Sequence, residues 1–216
     1  MNAMKGFLKP TSYFRHLVQQ DGKAQVDNLL KKVIFIVSFF SILAYLSVSN
    51  FGEKIGLANS GLYATKAATD AALWALCTFF IHGLIAAVVG KLFRVDERVS
   101  GIVTCFFWSH FYGWITGISA FVISYTSVYL LSDDVELSLL ISFVPFVLIK
   151  IWYLIKGAEI SMQTSKLEST AIVFLSLVLV ITLKWCLNEA TNQLFENKLI
   201  ESHEMKQKSA LDLYSQ

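Results

Sequence analysis

The stretch AALWALCTFFIHGLIAAVVGKLF, residues 71–93, carries no charge until Lys91 and has a histidine, His82, near its centre. It does not alternate between apolar and polar residues, so it does not read as a half-buried strand. It is long enough to cross a bilayer as a helix, which takes about 20 residues. Four more runs share these properties: 33–50, 101–131, 137–155 and 170–187. The run 101–131 is longer than one crossing needs. It contains no polar turn, so it reads as one tilted or protruding helix. The alternative spanning structure, a closed β-barrel, would require short alternating segments. The sequence therefore predicts an all-α fold: a polytopic membrane helix bundle of five transmembrane helices, residues 33–187. A cytoplasmic N-terminal segment, 1–32, precedes it, and a polar acidic C-terminal tail, 188–216, follows.

Composition agrees. The chain has 216 residues, 55% hydrophobic and only 16% charged, and a mean hydropathy of +0.57. Soluble domains carry about 25% charged residues. A net charge of +2 gives no basis for nucleic-acid binding. Cys77, Cys105 and Cys186 lie inside apolar runs without C-x-x-C spacing, and read as small buried hydrophobes rather than as a disulfide framework or zinc site. The long polar leader before Val33 reads as preceding a retained anchor, not a cleaved signal.

Orientation follows from the flanking Lys and Arg. With the N-terminus in the cytoplasm, twelve of the 18 lie inside and six outside. This predicts N-terminus in and C-terminus out. Lys150 and Lys184 read as snorkelling span-end residues, and Asp70 as an acidic residue opening span two.

Within the bundle, Gly113 and Gly117 in span three, and Gly83, Ala87, Ala86 and Gly90 in span two, form small-xxx-small patterns. They suit close contact between spans two and three, although glycine is common in membrane helices generally. Pro145 removes a helix hydrogen bond in span four and predicts a kink there. His82 and His110 lie in apolar surroundings, where an ionisable group is costly. They form either a shared intramembrane polar site for a proton or metal, or two neutral histidines bonded locally. Two imidazoles with no mid-span carboxylate fall short of a metal ligand set. No metal, cofactor or catalytic residue is predicted: the nucleotide-loop, zinc-protease and serine-hydrolase motifs are absent.

The N-terminal stretch FLKPTSYFRHL, residues 7–17, is too charged to span and too apolar for a free tail. Pro10 suits a first helical turn. Tyr13, Phe14, Leu17 and Val18 then share one face, and Arg15, His16, Gln19 and Gln20 the other, with Asp21-Gly22 as a stop. This predicts a short N-terminal interfacial amphipathic helix. Its apolar side would lie in the headgroup boundary, with Phe7, Leu8, Pro10, Tyr13, Phe14, Arg15 and Leu17 as membrane-interface anchors.

Taken in order, three stretches resemble the Yip1 family of small five-span membrane proteins. They are FLKPTSYFRHL, with Phe7, Leu8, Pro10 and Phe14; the short charged connection GKLFRVDERVSG; and the aromatic end of span four running into a polar link, IWYLIKGAEISMQTSKLESTAIVF. Span three departs from the family in lacking a Tyr followed by a Pro, and the acidic tail is longer. The resemblance implies a bundle without established catalysis. The short leader is similar to that of bacterial members, which implies the bacterial inner membrane. It lacks the long cytosolic domain through which eukaryotic relatives contact small GTPases. The leading expectation is a non-enzymatic scaffold or partner-binding protein, with the lipid bilayer and a membrane-protein partner or second copy as its contacts. A small transporter or channel subunit with a path near His82 and His110 is the first alternative, and a membrane immunity-type protein the second.

Overall fold

The structure, a computed structural model, describes residues 9–19, 22–55, 59–132 and 134–214. Every regular element among them is helical. In chain order they are α1 Pro10–Val18, α2 Gly22–Lys54, α3 Ser60–Leu92, α4 Val99–Ser132, α5 Val135–Met162 and α6 Lys166–Tyr214. Helix α3 is α-helical over Ser60–Leu76 and His82–Leu92, with a π-helical turn over Cys77–Ile81. Five helices are long and apolar enough to cross a membrane, and the chain is an integral membrane protein. The shortest of the five, Val135–Met162 with 28 residues, is about 42 Å long, against a hydrocarbon core of about 30 Å.

Four of the five predicted runs fall inside these helices and the fifth, 71–93, passes the end of α3 by Phe93 alone; the helices otherwise outlast the runs. Hydropathy marks only what must avoid water, whereas helix hydrogen bonding continues through any flank that tolerates it. Residues 60–70 of the expected first loop are rich in alanine, a strong helix former, and belong to α3. Asp70 therefore does not open its helix; it sits ten residues in, accepting hydrogen bonds from Lys66 Nζ at 2.6 Å and Thr191 Oγ1 at 3.0 Å. The expected tail at 188–216 is largely a continuation of α6 to Tyr214. Pro145 lies inside α5, whose helix runs unbroken on both sides of it.

Helix ends follow local chemistry. Asp134 caps α5 by accepting from the Leu137 N–H at 3.0 Å. At the start of α6 the Ser165 hydroxyl accepts from the Glu168 N–H, and the Glu168 carboxylate accepts from the Ser165 N–H at 2.9 Å. This reciprocal pair is a capping box. After α3, Arg94 sits at φ +61°. Its N–H donates to the Lys91 carbonyl, and the Val95 N–H reaches back to the Gly90 carbonyl at 3.1 Å, a Schellman ending.

The chain divides into two compact units, Met1–Ile34 with Leu76–Val180, and Phe35–Ala75 with Ile181–Gln216. The first holds two buried clusters. One joins Ala86 and Val89 of α3, Ile102 and Phe106 of α4, Leu154 and Ala158 of α5, and Ile172 of α6. The other seats Tyr13, Phe14 and Leu17 of α1 against Cys105 and Tyr112 of α4 and Tyr153 of α5. In the second unit, Phe40 meets Trp74 edge-on at 5.6 Å, Lys184 lies over the Trp74 ring at 5.1 Å, and Tyr63 packs on Phe195.

Candidate functional site

The two histidines that the sequence singles out meet in the first unit. His82 Nδ1 and His110 Nε2 are 2.8 Å apart, and His82 Nε2 is 3.0 Å from Ser176 Oγ. All three residues are buried. They come from α3, α4 and α6, so one polar cluster links three membrane-spanning helices.

The direction of the chain can be worked out from one end. Ser176 Oγ lies 3.0 Å from the Val173 carbonyl oxygen, which can only accept, so the hydroxyl proton points there. The Ser176 oxygen must then accept from His82 Nε2–H. That leaves His82 Nδ1 as an acceptor, and His110 Nε2–H donates to it. His82, which donates through one ring nitrogen and accepts through the other, is therefore a neutral imidazole. Phe106 faces the His82 ring at 5.1 Å and Phe79 the His110 ring at 6.0 Å, both edge-on.

The backbone places His82 by an irregularity. The turn Cys77–Ile81 is π-helical, and the His82 N–H donates to the Cys77 carbonyl, five residues back. One added residue in the turn lets Cys77, Thr78 and Phe79 point inward together with His82 and Gly83. Such bulges recur at functional positions. No residue pattern announces this one.

The cluster is not arranged for a metal. Two nitrogens bound to one tetrahedral zinc at about 2.0–2.1 Å each would sit about 3.3 Å apart, whereas these nitrogens are at hydrogen-bonding distance. No group of three or more His, Cys, Asp or Glu that could hold a metal occurs among the described residues.

Close helix contacts differ from expectation in one respect. Gly83 faces span three as predicted: a Cβ there would stand 2.8 Å from Val103 Cα and 3.2 Å from Phe106 Cβ. Gly113 and Gly117 do not face span two. Their added Cβ atoms would meet Lys150 Cα at 3.2 Å and the Phe146 ring at 2.8 Å, both on α5. The sequence pattern identifies a small-residue face but carries no information about which neighbour occupies it. Gly157 of α5, not singled out beforehand, is the matching small residue, approached by Ser109 and the Cys105 carbonyl of α4. Gly90 lies against Val95 and Met162, and Ala87 is buried in the first cluster.

Lys150 also moves relative to expectation. It is twelve residues before the end of α5 at Met162, about 18 Å along the axis, rather than near a helix end. Its ammonium lies 4.7 Å from the centre of the Trp114 ring, a cation–π contact. Cys77 and Cys105 are buried as expected, but Cys186 is exposed.

The N-terminal helix forms where predicted, with Pro10 in its first turn. Its apolar face is turned to protein instead of to the headgroup boundary: Tyr13, Phe14 and Leu17 are buried against α4 and α5, while Arg15 and His16 are exposed. Aromatic shape explains the preference, because Trp108 and Tyr112 meet Tyr13 edge-on at 5.7 and 5.5 Å. Burial raises the Tyr13 hydroxyl above the ordinary tyrosine range, against a hydrogen bond with Tyr112 that lowers it. The helix ends at Val18, and Gly22 opens α2 rather than stopping α1. The anchors Phe7 and Leu8, together with Gln20 and Asp21, lie outside the described residues. Comparison with protein-family models, with curated proteins and with solved structures gives no match for this chain.

Proposed function

We propose that this chain is a non-enzymatic integral membrane protein of the Yip1-like type, acting as a scaffold or partner-binding bundle. Its N-terminus is cytoplasmic and its C-terminus external, in a bacterial inner membrane. The observation that carries this reading is the buried His82–His110–Ser176 chain across three helices. Its bonds run from ring to ring to hydroxyl to carbonyl, and aromatic rings flank it. Such a cluster fixes three helices in one register. The order of charged and apolar segments supports the family assignment and the orientation. The test is photo-crosslinking in intact membranes from positions on the exposed side of α1, followed by purification in mild detergent. A stoichiometric membrane-protein partner or a defined oligomer is expected. Recovery of monomer and lipid alone, under every condition, ends this reading.

One observation favours a second reading, a small transporter or channel subunit: two histidines bonded directly to each other beside a π-helical turn. A proton added to such a pair could be shared between the rings. Purified protein in liposomes with an entrapped pH dye distinguishes the two. Proton flux above protein-free vesicles, abolished by His110→Ala, supports the transporter; leakage at the control level supports the scaffold.

A further inference from the structure

Where α1, the first turns of α2 and the start of α4 converge, a cavity of about 170 Å³ opens. Three of its polar residues, Gln25, Asn28 and Lys32, are spaced three and four apart and so share one face of α2. His16 of α1 and Thr104 and Trp108 of α4 complete the polar wall. None of the lining residues is acidic.

Each polar group has a different state. The Gln25 amide donates to the Leu17 carbonyl and so ties α2 to α1. The Lys32 ammonium stands 4.6 Å from the centre of the Trp108 ring, and among the described residues no carboxylate pairs with it. Thr104 is 5% exposed, borders the cavity, and its hydroxyl has no hydrogen-bond partner. A buried hydroxyl left unpaired costs about 1–3 kcal/mol. Near a cation, in a cavity larger than one water requires, it is the mark of a site built for a polar occupant.

Size and charge narrow the class of occupant. The cavity is smaller than the 300–1,000 Å³ typical of drug-sized or cofactor ligands, so a whole nucleotide does not fit. A lysine ammonium, a carboxamide and a hydroxyl, with no opposing carboxylate, suit a compact oxyanion. A phosphoryl group has several acceptor oxygens and the charge to engage all three. We infer that this cavity binds a phosphate group, with Lys32 as its charge partner and Asn28 and Thr104 as hydrogen-bond donors. On α2 the site lies just before the apolar run that starts at Val33, so a lipid phosphate is one source of such a group. The same chemistry would accept soluble phosphate, and the test separates the two sources. Occupancy of the cavity is independent of any protein partner.

The experiment uses the full chain in a maltoside detergent and phosphate-free buffer, with the thermal midpoint and native mass spectrometry as readouts. Phosphatidylglycerol is added in one arm and inorganic phosphate in the other. Stabilisation with retained lipid in the first arm alone identifies a lipid headgroup; stabilisation in the second identifies a soluble phosphate. In whichever arm responds, Lys32→Gln should weaken binding about tenfold or more, and Thr104→Val should weaken it several-fold. Lys31→Gln, which removes an exposed neighbouring charge, should leave it unchanged. If Lys32→Gln does not fold, Thr104→Val against Lys31→Gln decides. No shift in either arm, or an equal loss on removing Lys31, overturns the assignment.

Discussion

The first unit buries tyrosine, phenylalanine, isoleucine and leucine side chains, with two histidines and several serines among them. In the second unit, the buried residues among those described are Gly52, Ala64 and Ala75. The second unit is the more polar, since it takes in residues 188–214 of α6, but hydropathy alone does not decide which apolar helices pack together. Lipid tails are as apolar as leucine, and burying leucine between helices gains little over leaving it in lipid. Close backbone approach and polar contacts decide which helices hold together. The first unit has glycines whose missing side chains let a neighbour in, and a hydrogen-bonded chain through three helices. The second has Asp70 between Lys66 and Thr191, and rings with cations over their faces.

A matched pair of substitutions tests that contrast most strongly. In Gly83→Leu the new Cβ falls 2.8 Å from a backbone atom of Val103, which cannot rotate away, and α3 must move off α4. Overpacking of this kind should cost about 3 kcal/mol, read as a lowered unfolding midpoint in detergent. Gly61→Leu in the second unit meets nothing within 4 Å. Leucine's better helix propensity should then make it neutral or stabilising, by less than about 1 kcal/mol. Equal losses at both positions would mean that the two units are packed alike.

The polar contacts come next in size. His82 is the middle of its chain, so His82→Ala breaks two hydrogen bonds and strands both partners. A loss of about 2 kcal/mol is expected, with about 1 kcal/mol for Ser176→Ala. Adding His110→Ala to His82→Ala should cost little more, because the bond is already gone. Full additivity in that double-mutant cycle would show that the rings do not depend on each other. In the second unit, Asp70→Ala should cost under about 1 kcal/mol and less still at high salt. Lys66 and Asp70 retain 23% and 30% of their side-chain exposure and are screened by solvent. A loss at Asp70 exceeding that at His82 would reverse the ranking of the units.

These contacts were unequally visible in the sequence. The five spans are legible because avoiding water is a property of each residue. His82 and His110 stand out because polar atoms in lipid need a reason, but their meeting depends on helix rotation and on a π turn that no pattern in Cys77–Ile81 encodes. Gly113 and Gly117 declare a narrow face without naming its neighbour; only the fold assigns it to α5. Tyr13, Phe14 and Leu17 declare an apolar face, and amphipathicity alone does not tell lipid from protein. Some of the rest was readable by other rules. Ser165 and Glu168 have the spacing of a capping box, so the start of α6 was marked by chemistry four residues before hydropathy rises at Thr170.

The smallest expected effect concerns a helix end instead of a helix contact. Arg94 occupies the left-handed region, at φ +61°, where a residue with a Cβ is strained by about 1–2 kcal/mol and glycine is not. Arg94→Gly removes that strain but adds unfolded-state freedom. It also takes a cation from the helix C-terminus, where one contributes about 0.3–1 kcal/mol. The terms nearly offset, and a gain of about 0.5 kcal/mol should remain. Arg94→Asn, which tolerates the same backbone with less loss of chain stiffness, should fall between the two. Because this ending seats Val95 against Gly90 in the first unit, the midpoint of that unit should rise with it. A loss greater than about 1 kcal/mol on Arg94→Gly would mean that the arginine is held there for its charge, and that this end of the bundle is fixed by the membrane surface as much as by its own turn.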